Sequence, residues 1–275
     1  MIVEPAPAKI NLALHVRHRR ADGYHAIETL FAFVRDGDVV HLEAAETPRF
    51  TIGGPFAAGL SITDNLVLTA IEAFAAAFGD PGPLAVHLDK RLPVASGIGG
   101  GSADAAAALR ALARLTHVPA DDPRLFACAA GFGADVPACL VGRTALGTGR
   151  GEDLAPTPGM AGTPVLLVNP GVAVSTAAVF ARWDGSDGGP IAEGGLLERA
   201  RASRNDLEAP ARAIAPLIGD VLSALDAIGD PLLVRMSGSG ATCFALYADA
   251  ADRSHAAAVI RANHPDWWCL ETALA

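Results

Sequence analysis

Residues 93–104 read Pro-Val-Ala-Ser-Gly-Ile-Gly-Gly-Gly-Ser-Ala-Asp and run directly into Ala-Ala-Ala-Ala-Leu. The glycines of Gly97 to Gly101 end where a strong helix former begins, so a helix is expected from Ser102 to about Thr116. Without a Cβ, backbone N–H groups can converge on a small anion, and the unpaired N–H groups of a helix's first turn add a positive dipole end. The segment therefore predicts a phosphate cradle, with a glycine-rich turn that merely packs helix on sheet as the alternative. Ser102 suits the N-cap, and its hydroxyl equally suits a phosphate or a phosphate-bound Mg2+. Asp104 is read as a complement to the helix dipole. Two familiar nucleotide loops fit poorly: GxxxxGK[ST] lacks its lysine here, and GxGxxG fails because Ser102 takes its last place.

Composition narrows what surrounds this loop. The chain has 275 residues, of which 51% are apolar, enough for a sizeable core. Mean hydropathy is +0.32, yet much of it comes from alanine, and polar or Gly/Pro residues interrupt every apolar run before spanning length. Membrane insertion is not expected. Glu4 and Pro5 stand where a secretory signal needs a basic start, so no cleaved segment is expected and the cytoplasm is the default. A net charge of -9 opposes nucleic-acid binding, and the cluster Arg17, His18, Arg19, Arg20 is too small to reverse it. Cys128, Cys139, Cys243 and Cys269 lie far apart with no metal-ligand spacing, which predicts buried free thiols and no metal site. Of 21 basic residues only Lys9 and Lys90 are lysines, so where either sits in a site an ammonium is chemically required there.

Along the chain, residues 10–16 alternate as a strand, as do Ile27, Thr29, Phe31 and Phe33, with Val39, His41 and Glu43 following a turn at Asp36-Gly37-Asp38. Asp64 and Asn65 precede a helical stretch to about Phe78, and Leu84 to Leu88 reads as a buried strand. The Pro/Gly-rich segment 156–164 suggests a domain boundary, so domains of 1–160 and 161–275 are expected. Beyond it come a strand at Val165 to Val168 ending at Asn169-Pro170-Gly171, a helix around Ala209 to Ala227, a strand Leu232 to Met236, a loop Ser237 to Gly240, a strand Thr242 to Tyr247 and a helix from Ala251. Mixed strands and helices give an α+β class. Asp184 to Gly195 reads as a mobile surface loop.

Three ordered motifs carry a resemblance: Pro7-Ala8-Lys9-Ile10-Asn11-Leu12, the glycine segment, and Ser237-Gly238-Ser239-Gly240-Ala241-Thr242. Together they resemble the GHMP kinases (galactokinase, homoserine kinase, mevalonate kinase and phosphomevalonate kinase). Arg20-Ala21-Asp22-Gly23-Tyr24-His25 and Gly133-Ala134-Asp135-Val136-Pro137, with the Gly-Gly-Gly-Ser of Gly99 to Ser102, are similar to the branch that acts on 4-diphosphocytidyl-2-C-methyl-D-erythritol. The resemblance implies a two-domain α+β fold, an ATP-binding N-terminal domain and a ferredoxin-like C-terminal one, with the active site in the cleft between them. It also implies ATP and Mg2+, a small-molecule cytidine diphosphate acceptor phosphorylated on its 2-hydroxyl, and a monomer or homodimer.

Residue by residue, the resemblance makes Asp135 the base that accepts the hydroxyl proton and Lys9 the ammonium that stabilises developing charge. Pro93, Val94, Ala95, Ser96, Gly97, Ile98, Gly99, Gly100, Gly101, Ser102 and Ala103 would hold the ATP phosphates, with Asn65 and Lys90 near adenine. Ala103 departs from the branch, which often has a second serine there. Tyr24, His25 and Phe180 would hold cytosine; Asn11, Thr176, Gly238 and Gly240 would approach the sugar-phosphate end. The residues alone also allow a capping Asp135, a solvated Lys9, an Asn65 that caps its own helix, a structural aromatic turn at Tyr24-His25 and a plain tight turn at Ser237 to Thr242. Another GHMP kinase of homoserine or mevalonate type, or a non-catalytic nucleotide-binding regulator, are the competing functions.

Overall fold

The first two strands, β1 (Ile2–Arg19) and β2 (His25–Ala44), each contribute residues to two compact units in the computed structural model, which describes residues 1–275. Unit 1 holds residues 1–8, 36–94 and 99–142, and unit 2 holds 9–35, 95–98 and 143–275. Neither unit is a contiguous piece of chain, a partition distinct from a cut at 160/161.

In unit 1, the Val39–Ala44 part of β2 pairs antiparallel with β4 (Leu84–Asp89), which pairs in parallel with β3 (Arg49–Gly53). The helices are α1 (Leu66–Phe78), α2 (Gly100–Leu115), α3 (Pro123–Phe132) and α4 (Val136–Val141). The Asn65 side chain accepts from the Val67 N–H and so caps α1, and Asp122 caps α3 with Pro123 in its first turn. α2 is buried on nearly all sides, from Ala103 through Ala113 apart from Arg110, and its alanines let α1 and α4 approach closely.

Two expectations in this unit need correction. β2 runs straight through Asp36-Gly37-Asp38 with no turn. Glycine is there because a Cβ at 37 would collide with the Ala6 carbonyl oxygen and the Pro7 backbone. Asp38 is there because its buried carboxylate accepts from the Arg91 and Leu92 amides at 2.6 and 2.8 Å. Secondly, α2 begins at Gly100, not after Ser102. Gly99, left-handed at φ 69°, takes the N-cap position and leaves Ser102 inside the first turn.

In unit 2, β10 (Trp268–Ala273), β7 (Pro164–Asn169), β9 (Cys243–Leu246) and β8 (Leu233–Met236) form an antiparallel sheet in that order. The Thr29–Phe31 part of β2 pairs with β5 (Ala145–Thr148), which pairs with β6 (Asp153–Pro156). The helices are α5 (Thr176–Phe180), α6 (Leu196–Ala202), α7 (Glu208–Ile214), α8 (Leu217–Asp226) and α9 (Ala250–Asn263). The alternate residues Leu166 and Val168 of β7 join Leu14, Val16, Ile27, Val221, Tyr247 and Ile260 in one core. The single helix expected over 209–227 is two, because Pro216 lacks an N–H and forces Ala215 into an extended conformation at φ -129° and ψ 86°. Segment 184–195 contains no helix or strand and is tied down by an Arg17–Asp187 ion pair and a hydrogen bond between His15 Nδ1 and the Gly189 carbonyl. All four cysteines are free thiols, three of them buried and Cys269 half-buried.

Candidate active site

Within unit 2, short stretches of all three motifs are laced into one hydrogen-bonded assembly. The Lys9 amide donates to the Ile98 carbonyl at 3.0 Å, the Asn11 amide to Ser237 Oγ at 3.2 Å, Ser237 Oγ to the Gly97 carbonyl at 2.9 Å, and the Thr242 amide to the Ser96 carbonyl at 3.1 Å. Gly97 is glycine because a Cβ there would lie 2.5 Å from the Ser237 carbonyl oxygen and 2.7 Å from that of Gly240. This first glycine therefore packs against the third motif, and the cradle geometry starts two residues later. Residues 237–242 close the β8–β9 hairpin, with the Ser237 amide donating to the Thr242 carbonyl at 2.9 Å.

Lys9 is not a solvated edge lysine. It is 3% exposed, its Nζ donates to Asn11 Oδ1 at 2.8 Å and lies 5.5 Å from the Phe31 ring centroid. Asn11 is fixed in turn by donating to Thr29 Oγ1 at 2.8 Å, and Thr29 donates to the Ala13 carbonyl. Thr176 Oγ1 and Ser239 Oγ share a hydrogen bond of 2.9 Å, which brings α5 to the third motif beside Gly238 and Gly240. Asn205 clasps that loop from behind, its Nδ2 donating to the Met236 and Gly238 carbonyls at 2.8 Å each.

His25 and Phe180, brought from β2 and α5, stack with ring centroids 4.9 Å apart, and Trp183 meets the His25 ring edge-on at 5.6 Å. A base held between His25 and Phe180 needs them to part to about 7 Å, twice a carbon contact distance. Burial, helped by the Arg19 charge, holds the His25 imidazole below its usual pKa. Tyr24 is not in this stack; it is exposed, with the Arg150 guanidinium 5.2 Å from its ring centroid.

Within unit 1, the amides of Gly100, Gly101 and Ser102 precede the first α2 hydrogen bond, Ala103 N–H to the Gly99 carbonyl, and no side chain caps them. The Gly133–Asp135 turn lies beside them, since a Cβ on Gly133 would sit 3.9 Å from Ser102 Oγ. Asp135 occupies the N-cap position of α4 yet makes no side-chain capping hydrogen bond, so capping does not account for its carboxylate. Asn65 does cap its own helix, its Oδ1 accepting from the Val67 amide at 3.0 Å. Pro93 and Val94 lead toward the glycines, Ala95, the first of the unit 2 residues there, is left-handed at φ 51°, and Ala103 is buried within α2.

Lys90 and Asp104 take positions the sequence did not suggest. Lys90 Nζ is buried between Asp38 Oδ2 at 2.5 Å and Asp104 Oδ2 at 2.7 Å. Burial works against the Lys90 ammonium, but the two carboxylates outweigh it and raise its pKa; burial likewise raises that of Asp104, against the pull of Lys90. Asp104 is therefore a buried ion-pair partner and not an ornament of the helix dipole. A lone aspartate in an otherwise alanine-rich buried run was the available signal.

The family profile for the GHMP kinases N terminal domain matches residues 65–143, and that for the GHMP kinases C terminal region matches 191–266. The chain is 53% identical over 276 residues to a 4-diphosphocytidyl-2-C-methyl-D-erythritol kinase of Rhizorhabdus wittichii, covering 98% of this chain and 94% of the relative. The chain belongs to the GHMP kinase family. A relative of the same name from Erythrobacter litoralis is 49% identical over 98% of this chain and 97% of its own. A crystal structure of 4-(cytidine 5'-diphospho)-2C-methyl-D-erythritol kinase, 36% identical, matches with a TM-score of 0.82 over 100% of this chain and 99% of that one. A homoserine kinase from Cytophaga hutchinsonii shares the fold at 19% identity and a TM-score of 0.71, covering 97% and 95% of the two chains. In this GHMP kinase, as expected from the sequence, strands and helices are mixed in an α+β fold of two family domains.

Proposed function

We propose that this GHMP kinase transfers the γ-phosphoryl group of ATP to the tertiary 2-hydroxyl of 4-diphosphocytidyl-2-C-methyl-D-erythritol, releasing ADP and the 2-phosphate, as a step of the non-mevalonate route to isoprenoid precursors. One observation carries the reading: relatives named for that kinase match nearly the whole chain.

An alcohol is a weak nucleophile at neutral pH. Asp135, whose carboxylate is not used as a helix cap, would take the hydroxyl proton as the new O–P bond forms. Lys9, held by Asn11, would balance the charge that develops, and the amides at Gly99 to Ser102 would cradle the transferring phosphoryl oxygens. Cytosine would stack on His25 and Phe180, with Tyr24 at the rim, while Asn11, Thr176, Gly238 and Gly240 approach the sugar-phosphate end. Asn65 would lie toward adenine, and Lys90, its ammonium paired with Asp38 and Asp104, would support the loop shaped by Pro93 to Ile98 and Ala103. Mg2+ would arrive on the ATP phosphates and offset their charge, a reading that fits a chain with no group of three or more His, Cys, Asp or Glu residues arranged for a metal ion.

No helix is long and apolar enough to cross a membrane. A cytoplasmic site of action fits four free cysteines and small charged substrates, and a net charge of -9 favours a small-molecule partner over nucleic acid. A junction of the two family regions at 160/161 falls between the matched stretches 65–143 and 191–266.

The test is turnover. Purified protein given ATP, Mg2+ and 4-diphosphocytidyl-2-C-methyl-D-erythritol should yield ADP and phosphorylated acceptor in equal amounts, with homoserine and mevalonate as controls left unphosphorylated. Absence of product with folded protein overturns the reading.

A further inference from the structure

The buried ions of unit 1 are placed where they set the geometry of the phosphate cradle. Lys90 reaches from the end of β4, Asp38 from β2, and Asp104 from one turn into α2. Gly100 and Asp104 are four residues apart and share one face of α2. On that face the ammonium has one ion-pair partner and one close neighbour. Asp104 Oδ2 is 2.7 Å from Nζ, and a Cβ added to Gly100 would lie only 3.0 Å from Nζ and 3.6 Å from Asp38 Oδ2. The space between Gly100 and the ammonium is therefore too small for a methyl group unless Lys90 shifts.

Asp38 anchors that ammonium to the sheet. Its Oδ1 accepts from the Arg91 and Leu92 amides and its Oδ2 from Lys90. The assembly is costly for its size: it buries two carboxylates against one ammonium and leaves Asp104 Oδ1 with no partner. Buried ion clusters of this kind contribute little net stability over apolar packing, and their best-attested use is to fix one arrangement against others. The arrangement fixed here is the height and rotation of the turn that presents the Gly100, Gly101 and Ser102 amides.

We infer that Asp38, Lys90 and Asp104 are positioning residues for ATP, holding the first turn of α2 in the pose that lets its amides meet the nucleotide phosphates. The inference rests on the reading of Gly99 to Ser102 as the phosphate site. It differs from an adenine contact by Lys90, because the ammonium is spent on two carboxylates and is 3% exposed. Misplacement of such donors by about an ångström is enough to cost two orders of magnitude in rate.

Asp104→Leu removes the grip and keeps Lys90 paired with Asp38, while Asp104→Asn keeps an acceptor for Lys90 in the same place. Steady-state kinetics with ATP and acceptor varied separately, together with direct nucleotide binding by calorimetry, distinguish the outcomes. Asp104→Leu is expected to raise the KM and Kd for ATP at least about tenfold while the acceptor KM moves less than about twofold, and Asp104→Asn to stay within about threefold of wild type for ATP. Gly100→Ala, which presses a methyl group on the ammonium without removing any charge, is expected to weaken ATP binding as Asp104→Leu does and serves if Asp104→Leu does not fold. ATP affinity unchanged in folded Asp104→Leu and Gly100→Ala, with only the melting temperature lowered, overturns the inference and leaves the site reading intact. Wild-type protein that binds no ATP overturns the site reading and the inference with it.

Discussion

At the scale of single residues, the proposed chemistry separates into a group that would take the proton and groups that would hold cytosine. Asp135→Ala should lower kcat at least about a hundredfold while ATP binding persists, measured by steady-state kinetics and calorimetry; near-normal turnover removes Asp135 as the base. His25→Ala or Phe180→Ala should raise the acceptor KM about tenfold and leave the ATP KM unchanged, the scale of one lost base-stacking contact. His25 adds a pH signature. Its folded-state pKa lies below the unfolded value, so the folded protein binds fewer protons, and stability is kept above about pH 6.5 and lost as pH falls below it. Urea titrations at several pH values should show that decline, and His25→Gln should reduce its slope. The positions of Lys9 and Asn11 follow from a motif that is readable in order along the chain. Asp38 was not readable as a buried ion, because Asp-Gly-Asp looks like a turn wherever sequence is read locally, and only the passage of β1 beside it explains why the strand continues. Tyr24 and His25 are adjacent in sequence, yet only the second joins a ring stack: His25 opens β2, whereas Tyr24 precedes the strand and is exposed beside Arg150.

At the scale of elements, the close passage of β1 beside β2 at Gly37 leaves no room for a side chain. Gly37→Ala should destabilise the protein by about 3 kcal/mol or more, read from urea denaturation, because the colliding atoms belong to backbone that cannot rotate away. A midpoint equal to wild type removes the close crossing as the reason for this glycine. Strands β4, β7, β8 and β9 are legible as short apolar runs bounded by turn residues, and α1 by its Asn65 cap. β3, β5, β6 and β10 are not: their burial is mixed, so periodicity has little to work on. The break between α7 and α8 was marked by Pro216, a signal outweighed in the sequence by the apolar stretch on both sides of it.

At the scale of the whole molecule, unit 2 depends on residues from the start of the chain. Leu14, Val16 and Ile27 belong to its core, the Leu14 amide donates to the Arg204 carbonyl, and Asp206 donates its amide to the Leu14 carbonyl. A fragment of residues 161–275 should therefore show no cooperative thermal transition by circular dichroism, whereas a sharp transition would show that β1 is dispensable to it. Composition and motif order announce two family domains, but no local pattern announces that β1 and β2 serve two units, because that sharing lies in long-range pairing. The same sharing bears on how the protein is made. As the ribosome releases the chain from its N-terminus, β1 emerges long before Arg204, Asn205 and the hairpin that closes the Ser237 loop, and so it waits, largely apolar and incompletely partnered, through most of synthesis. Unit 2 is thus completed only near the end of translation, and a chain truncated in its last quarter leaves its first strand without the surface it was built to join.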